Sequence, residues 1–156
     1  MKKNLTSILI GIAIVVLMLI PVFIDKGVGY IEPTKASEYL SVVDSDKTIM
    51  AVIGRDSCPA CSQYKPIYNG VGLEYDLDIY YINTDLMPEA ELSEILHSDL
   101  VIPAKCHSSE EEVPLYELEA VPLTIFTKDG EIIDCISGVA QKDYLIDTFK
   151  TLEMID

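Results

Sequence analysis

The chain has 156 residues, 49% of them hydrophobic, and carries 26 Asp/Glu against 11 Lys/Arg for a net charge of −15. That length holds one domain and an appendage. So acidic a chain excludes partners recognised through phosphate charge, nucleic acid first among them.

The appendage comes first. Leu5 to Ile24 is twenty residues without a charge, which matches the roughly 30 Å hydrocarbon core of a bilayer. Lys2 and Lys3 precede it and Asp25-Lys26-Gly27 follow. The positive-inside rule then predicts a cytoplasmic N-terminus (1–4), a transmembrane signal anchor (5–24) and an extracytoplasmic remainder. A cleaved signal peptide is the alternative, but its apolar region is shorter and ends in small residues, which Pro21-Val22-Phe23-Ile24 does not supply. No cysteine follows closely enough for a lipoprotein anchor. Either way the folded part lies outside the cytoplasm, and the uncleaved reading makes it a single-pass protein of the cell membrane. From residue 27 onward the chain holds 8 Lys/Arg against 25 Asp/Glu, a net charge of −17. That charge repels nucleic acid and anionic headgroups, steers cationic partners inward and favours solubility. Cys58, Cys61, Cys106 and Cys135 all lie in this part, where an oxidising compartment permits disulfides.

Residues 25–35 read as a tether with Gly27, Gly29 and Pro33, and 36–156 as the folded domain. Ala36, Tyr39, Leu40 and Val43 are at helical spacing, ended by Asp44-Ser45-Asp46. Thr48 to Ile53 is a continuous apolar run suited to a buried central strand. A helix is predicted from Cys58 towards Tyr75, with Pro59 fitting its first turn and Pro66 kinking or interrupting it. Leu77 to Asn83 is the next strand and Pro88 to His97 an acidic amphipathic helix. Ser98 to Glu117, with Pro103, Pro114 and Glu110-Glu111-Glu112, reads as an irregular exposed loop with short helical turns. Leu123–Thr127 and Glu131–Ile136 flank Lys128-Asp129-Gly130 as a hairpin. Gly138 ends the second strand, and Lys142 to Met154 is a terminal amphipathic helix. The order predicts a mixed central sheet with helices on both faces.

Between the first strand and the second helix stands Gly54-Arg55-Asp56-Ser57-Cys58-Pro59-Ala60-Cys61. Two thiols three positions apart at a helix start lie within bonding reach, and the helix N-terminus stabilises a thiolate on the first. This is the geometry of thiol–disulfide exchange. Cys58 is the nucleophile that forms a mixed disulfide, and Cys61, further into the helix and more buried, resolves it. Asp56 opposes the Cys58 thiolate in part. A staple closing so short a loop would constrain the unfolded chain rather little. Zinc or copper delivery is a further reading, but a closed zinc site needs four ligands. Cys106, His107, Cys135 and His97 offer no second paired motif, so no metal ligand is assigned. No glycine-rich phosphate loop follows any strand, so no nucleotide cofactor is expected. Cys106 and Cys135 either form a second disulfide between the long loop and the hairpin, or remain a loop thiol and a small buried hydrophobe. His97 and His107 read as surface residues without a role.

These landmarks together resemble the thioredoxin-like superfamily over about Ala36 to Leu152. Cys58-Pro59-Ala60-Cys61 stands where that family keeps its dithiol, and Pro66 where it keeps the helix-kinking proline. Val121-Pro122 matches its cis-proline, Asp129-Gly130 its hairpin turn and Gly138 its glycine before the last helix. The resemblance implies a thioredoxin-like α/β domain in which Val121 presents its backbone to an extended client at a cis Pro122 bond. More narrowly, Ile53 to Cys61 resembles small anchored thioredoxin-like proteins of Gram-positive bacteria, including bacteriocin transport accessory proteins. The chain departs from the family in three places. It has no Trp and places Ser57 before the dithiol. Val52 replaces a buried acid, and Ser98–Glu117 exceeds the usual connection.

The expected activity is therefore that of an extracytoplasmic thiol–disulfide oxidoreductase acting on protein or peptide clients. Its electrons or oxidising equivalents would be exchanged with a redox partner protein or small thiol, without a cofactor, and the N-terminal helix would supply the membrane contact. The alternative keeps the fold as a non-catalytic accessory module of a membrane transport or secretion complex.

Overall fold

Side chains alternate between two faces along the inner strands of the domain, as a period of two requires. The computed structural model describes residues 33–156. The predicted anchor, the cytoplasmic residues and most of the tether lie outside the described residues. Among the described residues no helix is long and apolar enough to cross a membrane.

Strand β1 (Ile49–Gly54) is followed by helix α2 (Pro59–Tyr75) and strand β2 (Ile79–Asn83), after a short first helix α1 (Ala36–Leu40). Helix α3 (Glu89–Leu96) leads to the two-residue strands β3 (Val101–Ile102) and β4 (Val113–Pro114). The hairpin β5 (Leu123–Lys128) and β6 (Glu131–Ser137) and the last helix α4 (Lys142–Thr151) complete the chain. The main sheet has the order β2-β1-β5-β6, with β1 parallel to β2 and antiparallel to β5, and β5 antiparallel to β6. The two central strands carry the near-continuous apolar runs expected of strands covered on both sides.

Ala51 and Ile53 of β1, Ile82 of β2 and Leu123 and Ile125 of β5 pack on one face with residues of α1 and α3. Met50, Val52, Ile79, Tyr81 and Phe126 pack on the other with Tyr64, Tyr68, Leu145 and Phe149 of α2 and α4. Asp129 (φ 52°) and Gly130 (φ 80°) make the hairpin turn with both residues left-handed, the geometry that suits a two-residue loop and favours Asp-Gly. Gly138 (φ 84°) ends β6 as predicted.

Two expectations are corrected. Pro66 does not interrupt α2, which runs unbroken from Pro59 to Tyr75. Pro66 and Ser62 are exposed, so water can serve the carbonyl that proline leaves without a partner. Segment 98–117 is not simply an exposed loop: Leu100, Ile102, Val113 and Leu115 are buried in the core face that also takes α1 and α3. β3 and β4 pair antiparallel, and 3-10 turns occupy Ala104–Cys106 and Leu115–Glu117. Pro103 and Pro114 keep both strands to two residues, too short for alternation to declare itself.

Candidate active site

β1 delivers the chain to the dithiol. Gly54, its last residue, accepts a hydrogen bond from the Thr84 N–H at 2.8 Å and pairs in register with Asn83, so the ends of β1 and β2 are fastened together. Beyond it the Ser57 N–H donates to Asp85 Oδ2 at 3.0 Å, and the Cys58 N–H closes a turn onto the Arg55 carbonyl at 3.3 Å. Cys58 is then the N-cap of α2, with extended backbone angles of −94° and 116° and Pro59 behind it.

That position decides its chemistry. The Cys58 sulfur accepts the Cys61 N–H at 3.1 Å, taking the place of the oxygen that caps most helices. Burial alone would raise the Cys58 pKa. Hydrogen bonds from the Cys61 thiol and the Cys61 and Ala60 backbone N–H groups, with the Arg55 charge, outweigh it and hold it below the ordinary thiol value. Arg55 is the charge that favours the Cys58 thiolate. Cys61 is affected in the opposite sense: burial, then its hydrogen bond to Cys58, push it up to about 11. By exposed surface the two cysteines are nearly equal, at 7% and 6%. The expected difference in burial is therefore one of depth and not of exposed area: burial is the largest cause of the raised Cys61 value, while hydrogen bonds to its sulfur hold Cys58 low.

Across from Cys58 lies the loop into β5. The Val121–Pro122 peptide is cis, and the Val121 carbonyl stands 3.5 Å from the Cys58 sulfur. The Gly138 N–H donates to the Pro122 carbonyl at 2.8 Å, which ties this loop to the end of β6. All four residues singled out from the sequence, Cys58, Cys61, Val121 and Pro122, therefore meet at one end of the sheet.

The other cysteines are paired with each other. Cys106 and Cys135 form a disulfide with Cα atoms 6.2 Å apart, joining segment 98–117 to β6. Among the described residues no group of three or more potential ligands gathers as a metal site. His97 is exposed and stacks on Tyr116, ring centroids 5.4 Å apart. His107 is not a surface residue, since its side chain is only 8% exposed. Its Nδ1 accepts the Ser109 N–H at 3.0 Å and its Nε2 lies 3.3 Å from the Glu117 carbonyl. Glu119 in turn accepts the Ser108 N–H at 3.2 Å. These contacts hold the chain that leads into Val121.

Sequence reasoning missed Asp85 and Glu119. Asn83-Thr84-Asp85 directly after a buried strand was the available signal for the first, because Asn and Asp close turns with their own side chains. Indeed Asn83 Oδ1 accepts the Asp85 N–H at 3.0 Å. For Glu119 no local pattern distinguished one acid among many.

No protein-family model and no curated protein sequence matches the chain. Solved structures do. Thioredoxin from Aeropyrum pernix aligns with a TM-score of 0.54 over 80% of this chain and 86% of its own, at 18% identity. The fold is that of thioredoxin. A mutant thioredoxin from Halobacterium salinarum NRC-1 gives the same score at 17% identity, over 80% of this chain and 90% of its own. Fasciola hepatica thioredoxin gives 0.50 at 20% identity, over 74% and 92%. In this chain the loop that carries Cys58 and the loop that carries Pro122 adjoin, and a disulfide-tied segment precedes β5.

Proposed function

We propose that this chain is a thiol–disulfide oxidoreductase whose centre is the Cys58–Cys61 pair. The observation that carries the reading is the Cys61 N–H on the Cys58 sulfur at 3.1 Å, which makes one thiol of the pair the nucleophile. In the reducing direction the Cys58 thiolate attacks a client disulfide, forms a mixed disulfide and releases one client thiolate. Cys61 then loses its proton to solvent and attacks the Cys58 sulfur, releasing the second client thiolate and closing the Cys58–Cys61 bond. The oxidising direction is the reverse. An extended client would lie along Val121, whose backbone borders the Cys58 sulfur.

The apolar run 5–24 between Lys3 and Asp25 supports an uncleaved single-pass anchor with the domain outside the cytoplasm. Clients are then exported proteins or peptides, and the electron partner is another protein or a small thiol. The Ile53–Cys61 motif and the anchor favour the Gram-positive, bacteriocin-accessory type.

The test is the reduction potential of the pair in the full-length chain, equilibrated in defined thiol buffers and trapped by alkylation. A value near −270 mV marks a reductant and one near −120 mV an oxidant. A pair that does not titrate reversibly removes the enzyme reading. Loss of client turnover in Cys58→Ser, with the fold intact, separates an enzyme from a non-catalytic module.

A further inference from the structure

His107 stands between the sheet and the client loop. On one side is Cys106, whose disulfide to Cys135 fastens it to β6. On the other are Glu117 and Glu119, the last acids before Val121 and Pro122. The ring is nearly buried, and its partners fix which nitrogen carries the hydrogen. Nδ1 accepts the Ser109 N–H at 3.0 Å, so Nδ1 is bare. Nε2 carries the hydrogen and donates it to the Glu117 carbonyl at 3.3 Å, with a Glu119 oxygen 3.5 Å away. Glu119 in turn accepts the Ser108 N–H at 3.2 Å and the Ser108 hydroxyl at 2.5 Å. One neutral imidazole thus joins Ser109 to the chain that leads into β5. We infer that neutral His107 is a positioning residue for the client loop, holding the chain that ends in Val121, and that a second proton on the ring releases that hold. This deepens the redox reading of the site and rests on it.

Two donors cannot share one hydrogen bond. A proton on Nδ1 would point at the Ser109 N–H, so an imidazolium has to break that bond. Glu119 attracts the charged ring, which therefore stays beside the acid while Ser109 is expelled. Ser108 is the neighbour of Ser109 and holds Glu119 by two bonds, so it is displaced as well. From Glu119 the displacement has two residues to travel to Val121, whose carbonyl stands 3.5 Å from the Cys58 sulfur. The charged residues that line the cleft of about 270 Å³ beside His107 are Lys105 and Glu119. Lys105 is paired with Asp134 of β6, and Cys106 is disulfide-bonded and does not titrate. Glu117 offers its carbonyl, with the residue itself exposed. Glu119 is held below its ordinary 4.5, so it keeps its charge from about pH 8 to about pH 5, the range in which imidazoles change theirs.

The test follows single turnovers of the full-length chain, with Cys58–Cys61 reduced and Cys106–Cys135 intact, on two disulfides. One is a peptide closed by a single disulfide and long enough to lie along Val121. The other is the small aromatic disulfide DTNB, which is not. Both need the same Cys58 thiolate, so the ratio of their rates cancels its titration. Between about pH 8 and about pH 5 the ratio of peptide to DTNB rate should fall about fivefold. His107→Asn supplies an amide oxygen for the Ser109 N–H and takes no proton. It should keep the ratio within about twofold of the parent value at about pH 8 and hold it there down to about pH 5. Hydrogen exchange of the parent chain covers the case of a variant that folds poorly. Relative to the intrinsic rate at each pH, the Ser109 amide should lose protection over the same range. A flat parent ratio, a fall that His107→Asn retains, or a Ser109 amide protected throughout overturns the inference. A reduced chain that exchanges with neither disulfide at any pH overturns the redox reading itself.

Discussion

Asp85 and Ser57 are joined by a hydrogen bond of 3.0 Å across 28 residues of sequence, from the Ser57 N–H to the carboxylate. Bonds from Ser57 hold the Asp85 carboxyl below the usual carboxylate range, with smaller help from Arg55 and the Asp56 N–H. This acid anchors the loop immediately before the nucleophile. Asp85→Asn keeps an acceptor for the Ser57 N–H and should leave the Cys58 pKa and reaction rate close to those of the parent chain. Asp85→Ala removes the acceptor and should lower that rate several-fold. Iodoacetamide rates against pH, with mass identification of the labelled cysteine, read both.

Cys58 should reach its maximal alkylation rate at a pH below that of an unperturbed thiol, while Cys61 stays unlabelled until the pH nears about 11. The opposite shifts also set the stability of the reduced chain. Cys58 has a lowered folded pKa, so its contribution is present above the ordinary value and is lost as pH falls through the lowered one. Cys61 has a raised one, so its contribution is full below the ordinary value of 9.0 and is lost as pH rises towards about 11. Denaturant midpoints of the reduced chain should rise towards pH 9.0 and then decline, and Cys61→Ser should blunt the decline.

The Cys106–Cys135 bond is expected to resist thiols that reduce Cys58–Cys61. Attack on the half-buried Cys106 must expel a Cys135 thiolate that sits 5% exposed in β6, a poor leaving group. Replacing both cysteines by Ala should cost about 3.6 kcal/mol for a closed loop of this length and leave the rate at which Cys58 attacks the aromatic disulfide DTNB largely intact. Urea titration with and without the bond measures the first, and stopped-flow absorbance the second.

Glu119 is held below its usual pKa by the Ser108 side chain and N–H, with a smaller effect of His107. A lowered carboxyl stabilises above its ordinary value of 4.5 and stops doing so as pH falls through the lowered one. Protection of the Ser108 and Ser109 amides, relative to the intrinsic exchange rate at each pH, should therefore fall on acidification, and Glu119→Gln should show the lower protection at neutral pH. Hydrogen exchange of the 98–120 segment tests this.

Much of this site was written in local patterns. The run Thr48 to Ile53, the Cys-Pro start of α2 and the Asp-Gly turn each depend on neighbours in sequence, and each formed within a residue or two of expectation. Val121, Pro122 and the dithiol came together because the order of strands and helices puts both loops at one end of the sheet. Segment 98–117 was harder to read because its burial is tertiary: Ile102 and Val113 are two-residue strand partners cut short by proline. Asp85 and Glu119 were illegible for a related reason. A carboxylate's partner 28 residues away follows only once the sheet is assembled.

A four-stranded sheet has two borders, and both are occupied here. At β2 the chain entering the domain lies alongside: Pro33 bridges to Tyr81, and the Thr34 N–H and hydroxyl bond the Tyr81 carbonyl and N–H at 2.8 and 3.0 Å. At β6 the disulfide-tied segment leans against the strand. Exposed borders are templates on which strands of other molecules stack into aggregates. Segment 98–117 thus covers one of these borders, and cutting the Cys106–Cys135 tie should make the chain sticky before it makes it inactive.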